Sequence, residues 1–200
     1  MNLQTIVFIG RSGCGKGTQV EQFKNFLQNN DEREIFHLEA GDRFRSLINE
    51  KNYTSQLAKE IAGKGGLQPE FLSIWAWTDK MVQSLRKDEH LMIDGTPRRL
   101  SEAKILESVF EFLNRAEVNI VYLNVSRDWA IQRMKERGRD DDKDLEDVIA
   151  RLDWFETDVV PALDFYRAHK SHKFHEINGE QEVDKVSEDI LKSLDLKNKQ

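Results

Sequence analysis

The sequence predicts a doubly wound α/β fold, a parallel sheet of about five strands with helices on both faces. Three observations lead there. Short apolar runs rich in β-branched residues recur at 5–9, 35–38, 90–93, 119–125 and, more weakly, 173–177. Stretches with helical periodicity separate them, and strand followed by helix, repeated to the end, needs crossovers between parallel strands. Right-handed crossovers then put helices on both faces. The third observation is scale: 200 residues, 38% of them hydrophobic, suit one core with small insertions.

The first run, TIVFI at 5–9, is apolar throughout, as a strand buried on both faces requires. A helix is expected over 15–27, with Val20, Phe23, Phe26 and Leu27 on one face. Strand 35–38 leads into helix 42–49, and helices 55–62 and 69–85 precede strand 90–93. Pro69 suits the first turn of its helix, and Ser101 suits the N-cap of helix 101–113. Helix 127–137 follows strand 119–125. A long periodic run, 145–169, contains Pro161, which should kink or split it by removing one amide donor. Strand 173–177 and helix 183–194 complete the alternation, and the polar tail from Lys192 is expected to fray.

Thirty basic against 36 acidic residues give a net charge of −6, with both signs spread along the chain. That balance disfavours a nucleic-acid-binding surface, while a few local cations still suffice for nucleotides. Cys14 is the single cysteine, which excludes an intramolecular disulfide framework and any CxxC zinc clip; a reducing compartment is expected. The opening segment MNLQTIVFIGRSG has no cationic run and too short an apolar stretch for a membrane span, so a soluble, untargeted cytoplasmic chain is expected. His37, His90, His169, His172 and His175 do not read as a metal-ligand set. The spacing of the last three is suggestive, but they straddle a helix end and a strand and are read as a solvated turn. Trp75 and Trp77, two apart on a helix, are read as packing residues.

The strongest local signal is GRSGCGKGT, 10–18, between the first strand and the first helix. Its spacing is GxxxxGK, with Gly17 where a hydroxyl residue is usual and Thr18 one position later. Glycines let Gly13, Cys14, Gly15, Lys16 and Gly17 curl their N–H groups toward one centre, and the helix N-terminus adds its positive dipole end. Lys16 brings full charge to the β- and γ-phosphates of a nucleoside triphosphate, and Thr18 is placed to meet magnesium. Such a P-loop says only that a triphosphate binds; the acceptor must be read elsewhere.

GKGTQ at 15–19, GDRFR at 41–45, DGTPR at 94–98 and RGRDDDKDLEDVIARL at 137–152 together resemble the adenylate kinase family in its short-lid form, a group of nucleoside monophosphate kinases. The resemblance runs from about residue 5 to 186. It implies Mg2+-dependent transfer of the ATP γ-phosphoryl group to AMP. Moving a phosphoryl group between two polyanions needs positioned cations more than a covalent nucleophile, and the planar fork of arginine suits that task. By motif position the resemblance implies Lys16, Arg98, Arg137, Arg139 and Arg151 as catalytic residues. Arg45 and Arg98 would hold the monophosphate, with Gly95, Ala40, Ala62, Gln68 and Glu102 around it. Arg133 would lie against the ATP adenine, which the loop INGEQEV, 177–183, receives at Gly179. Asp94 and Asp42, with Thr18, would hold magnesium, partly through water.

The implied organisation is a core (1–40, 71–136 and 145–195), a helical monophosphate-binding flap at about 41–70 and a minimal lid at about 137–144. Only Gly138 separates Arg137 from Arg139, which leaves no room for a zinc-bearing lid; no zinc is expected, and a monomer is.

Two positions depart from the family. A Thr before the GDxLR block and a Gln after the DGFPR block are replaced by Ala40 and Glu102. An ionised Glu only accepts hydrogen bonds, which suits the donor pair of guanine and raises GMP as an acceptor. AMP is favoured because the rest of the acceptor region looks like adenylate kinase; UMP and CMP stay open. Three further alternatives are a non-catalytic ATP-binding protein, another small-molecule kinase such as a shikimate or gluconate kinase, and a nucleic-acid-associated ATPase. The first has no use for a second set of arginines, the second class lacks the DGxPR block present here, and the third would need a basic patch that this sequence lacks.

Overall fold

The computed structural model describes residues 1–64, 66–139, 142 and 144–197, excepting the side chains of Asp42, Arg43 and Arg45. Strand β1 (Thr5–Ile9) lies at the centre of a five-stranded parallel sheet, between β3 (His90–Asp94) and β4 (Val118–Asn124). Strand β2 (Ile35–Glu39) pairs outside β3, and β5 (His172–Asn178) outside β4. The order β2-β3-β1-β4-β5 is the doubly wound arrangement expected from the strand–helix alternation.

Every residue of β1 is buried because both faces are covered. Val7 and Ile9 enter one layer with Trp77, Phe110 and Tyr166, beneath α4 (Glu70–Ser84), α5 (Leu100–Phe112) and α8 (Val160–Ala168). Ile6 and Phe8 enter the other with Phe23, Leu27, Met134 and Ile190, from α1 (Lys16–Asn30), α6 (Arg127–Arg137) and α9 (Val183–Ser193). Each large apolar side chain so buried contributes about 1.5–3 kcal/mol. Helices α2 (Ala40–Leu47) and α3 (Tyr53–Ala62) stand apart from both layers: Leu47, Ala58 and Leu72 form a small core of their own with Phe44 and Ile48.

Local chemistry sets the helix ends. The Asn52 side chain accepts from the Ser55 N–H at 2.8 Å and caps α3, while Ser126 caps α6, which stops at Gly138 in the left-handed region. Two expectations, the Ser101 cap and the fraying tail, need correction. Ser101 does not cap α5, which opens one residue earlier after Arg99; instead the Glu102 carboxylate accepts from the Arg98 N–H at 2.9 Å. The run 145–169 is split beside Pro161, as expected, into α7 (Leu145–Trp154), a π-helical turn (Phe155–Val159) and α8. Pro161 withholds the N–H that the Thr157 carbonyl would otherwise receive, and the π turn absorbs the shifted ladder. The tail does not fray at Lys192, since Leu194 and Leu196 pack against the second layer. Among the described residues no helix is long and apolar enough to cross a membrane.

Candidate active site

All five strands end on one edge of the sheet, where a cleft of about 950 Å³ opens between the 10–18 loop, the loop after β3 and the arginines of α6 and α7. Gly13 has φ +84°, and a Cβ there would lie 2.5 Å from the Ala130 carbonyl oxygen, so the loop can hug α6 only with glycine at this position. Helix α1 then starts at Lys16 with no side-chain cap, and its first N–H groups are offered to the cleft, which Gly13 through Thr18 line. Thr18 is exposed on that wall. Cys14 is buried, and burial pushes its thiol up despite the pull of Lys16, which leaves a neutral filler rather than a reactive thiolate.

Asp94, at the end of β3, faces Lys16 across 2.8 Å. Burial opposes the Lys16 charge, but the Asp94 carboxylate beside it outweighs burial and holds the ammonium above its ordinary pKa. Arg98 sits in the next turn. Burial pulls its pKa down against the attraction of Glu102 and Asp94. Its Nε donates to the Gly95 carbonyl at 2.8 Å, which sets the guanidinium plane over the Trp154 ring. No other hydrogen bond among the described residues takes up its two terminal nitrogens.

Glu102 is fully buried and does not line the cleft. Its Oε2 accepts from the Thr96 hydroxyl and the Arg98 N–H, both at 2.9 Å, so this carboxylate ties the 94–98 turn to α5. Arg99 approaches its Oε1 at 3.8 Å while donating to the Gln68 carbonyl at 3.0 Å.

On the far wall, Arg137 and Arg151 meet on one residue. Asp142 Oδ2 accepts from Arg137 Nε at 2.8 Å, and Oδ1 from Arg151 Nη2 at 2.8 Å. Burial alone would raise the Asp142 pKa; hydrogen bonds from both guanidiniums overcome it and hold the carboxyl below its usual range. Asp142 thereby holds the two guanidiniums side by side on this wall of the cleft. Arg139 lines the cleft nearby, and Arg133 lies over Trp129 at 5.3 Å. Gly179 closes the cleft beside β4: a Cβ there would come within 2.7 Å of Val125 Cγ1. Gln19, the last residue of the GKGTQ block, donates to the Val183 carbonyl at 2.9 Å and joins that loop to α1.

The flap residues are more scattered. Ala40 opens α2 against Gly95, while Ala62 is exposed at the end of α3, and neither lines the cleft. Gln68 also stands off it, donating to the Ala58 carbonyl at 2.8 Å. The side chains of Asp42 and Arg45 lie outside the described residues, as do Asp140, Asp141 and Lys143 of the lid. Sequence reasoning missed Arg11 and Asp142. Arg11 lines the cleft, pairs with Glu156 at 3.0 Å and stacks on Phe155 at 4.9 Å, both in the π turn. Nothing in its local sequence marks it out from a surface arginine, whereas the acidic run 140–142 was a signal for Asp142.

The cleft therefore combines a glycine-rich loop at a helix N-terminus, a paired lysine and carboxylate, and arginines from four separate segments. A family model described as adenylate kinase matches residues 8–171. Curated relatives agree. The adenylate kinase of Flavobacterium psychrophilum is 31% identical over 200 residues, covering 94% of this chain and 98% of that protein. Those of Prochlorococcus marinus (strain NATL1A) and Limosilactobacillus reuteri are also 31% identical, each with 94% of this chain and 97% of the relative aligned. A match spanning most of the residues, together with relatives aligned along nearly their whole length, shows that the chain belongs to the adenylate kinase family.

Proposed function

We propose that this chain catalyses reversible transfer of the γ-phosphoryl group of ATP to AMP, giving two ADP. Family membership makes it a phosphotransferase with a phosphate group as acceptor. The observation that carries the proposal is the convergence of Lys16, Arg98, Arg137, Arg139 and Arg151 on one cleft. In that assignment Gly13, Cys14, Gly15, Lys16, Gly17 and Thr18 bind the ATP phosphates, and Arg133 and Gly179 flank its adenine. Arg98, with Arg45, grips the monophosphate by a planar fork. Gly95 faces its pocket, Ala40 packs on Gly95, Glu102 holds the 94–98 turn and the Gln68 carbonyl holds Arg99, while Ala62 would reach the nucleotide only as the flap closes. Arg137, Arg139 and Arg151 spread charge away from the moving phosphoryl group, where positioned donors matter most.

Oxygen donors at Thr18 and Asp94, with Asp42 as a third, fit magnesium, a hard cation that keeps most of its waters. When bound it neutralises phosphate charge. Asp94 meanwhile orients the Lys16 ammonium at 2.8 Å, so this carboxylate serves both charges of the site. The flap, about 41–70, and the lid, about 137–144, would close over the two nucleotides and exclude water, and the separate small core of α2, α3 and α4 suits such a moving part. We read the enzyme as a cytoplasmic monomer, the form that its minimal lid and single buried thiol suit.

The case for GMP rested on Glu102 presenting two free acceptors to a base edge. One of them is committed to Thr96 and Arg98, which supports AMP over GMP. Phosphorylation by ATP of AMP, GMP, CMP, UMP and dTMP at equal concentrations tests the choice. AMP is expected to turn over fastest; AMP turnover no better than that of the others removes the assignment.

A further inference from the structure

The edge of the sheet opposite the cleft carries a second cluster of chemistry-bearing side chains. Glu107 on α5, His169 just after α8 and His172 at the start of β5 bring one ligand atom each to within 4.8 Å of the others. His172 Nε2 lies 2.5 Å from Glu107 Oε2, and His169 Nε2 lies 3.7 Å from the same oxygen. We propose that Glu107, His169 and His172 form a binding site for one divalent transition-metal ion, zinc by its donor chemistry, outside the catalytic cleft.

Four features carry the proposal. Two imidazoles and a carboxylate are a zinc donor set, whereas magnesium and calcium take oxygen ligands. Two ligands on one tetrahedral zinc ion stand about 3.3 Å apart, from bonds of about 2.0–2.1 Å. The observed separations of 2.5 and 3.7 Å bracket that value, so an ion would have to part the buried His172–Glu107 pair by about 0.8 Å and draw in His169, whose side chain is 35% exposed, by about 0.4 Å. The cluster is also short of partners: Glu107 Oε1 is buried with no hydrogen bond, a gap that bidentate ligation fills. Finally, the Ser171 hydroxyl lies 2.8 Å from His169 Nδ1, the outer contact that metal-bound histidines keep, which leaves Nε2 for the ion.

The surroundings are aromatic. Phe110 and Tyr166 present edges to His172, and Phe165 packs on His169, so the ligands sit in a low-dielectric setting that strengthens their hold on a cation. The solvated turn expected for these histidines is corrected by the burial of the His172 side chain, 5% exposed, against Glu107. The third ligand lies 65 residues earlier in the chain, beyond the reach of any local spacing rule. The proposal departs from the expectation of no zinc and of no metal-ligand set among the histidines, because Glu107, His169 and His172 are brought together only by the fold. An ion here would staple α5, the end of α8 and β5, about 20 Å from the cleft along the seven-residue strand β5.

The test is calorimetric titration of the chelator-treated full chain with zinc chloride in excess magnesium, which keeps oxygen-only sites silent. One zinc ion per chain and a raised melting temperature are expected. His169→Ala and, separately, Glu107→Gln should each weaken zinc binding by about tenfold or more, with the basal kinase rate unchanged. Cobalt bound to the native chain should show visible absorption bands that His169→Ala removes. Failure of the native chain to take up zinc, or unchanged affinity and cobalt bands in the variants, overturns the proposal and leaves a buried imidazole–carboxylate pair.

Discussion

Lys16→Met is expected to lower kcat by about a hundredfold to a thousandfold, the loss seen when one positioned transition-state donor is removed. Methionine keeps the aliphatic stem and deletes the charge, so packing beneath the 10–18 loop survives. The effect is expected in kcat because the proposed role sets the ammonium, held between the first turn of α1 and the end of β3, beside the moving charge. Its 2.8 Å contact with Asp94 fixes that place. The same pairing predicts a second effect. Without Lys16 the Asp94 carboxylate loses its closest cation, and the melting temperature should fall modestly, since a partly buried charge is left unpaired. Steady-state kinetics with a thermal melt separates the two. Retention of native kcat by a folded Lys16→Met chain would contradict the role given to Lys16.

Arg98→Ala should cut kcat/KM for the monophosphate by about a hundredfold or more, and act less on the KM for ATP. The guanidinium plane is set by its Nε bond to Gly95 and by Trp154, so its terminal nitrogens are presented without further ordering cost. Arg98→Lys keeps the charge but not the fork, and should recover part of the loss. The backbone N–H of residue 98 still reaches Glu102 in either variant, which keeps the turn anchored. A uniform rise in both KM values, with Lys no better than Ala, would assign Arg98 to the scaffold instead.

What could be read from the sequence was local. Strand β1 and the cradle after it were legible because an apolar run, a glycine loop, a lysine and a helix follow one another directly. The split near Pro161 was legible for the same reason, although the π turn that carries it was not. Residues whose partners lie far along the chain stayed hidden. Glu102 reads as a base-recognition residue until its bonds to Thr96 and Arg98 are seen. Asp142 reads as one acid in a run until Arg137 and Arg151 are found on its two oxygens. Arg11 and the Glu107–His172 contact had no sequence signal at all, because tertiary packing alone brings their partners near.

The central claim, phosphoryl transfer between nucleotides within a cleft closed to water, is tested most directly by ADP formation from ATP and magnesium with and without AMP. The account predicts two ADP for every AMP consumed, and ADP formation near background when AMP is omitted. ADP release at the same rate without AMP, or none with both nucleotides present, would contradict it.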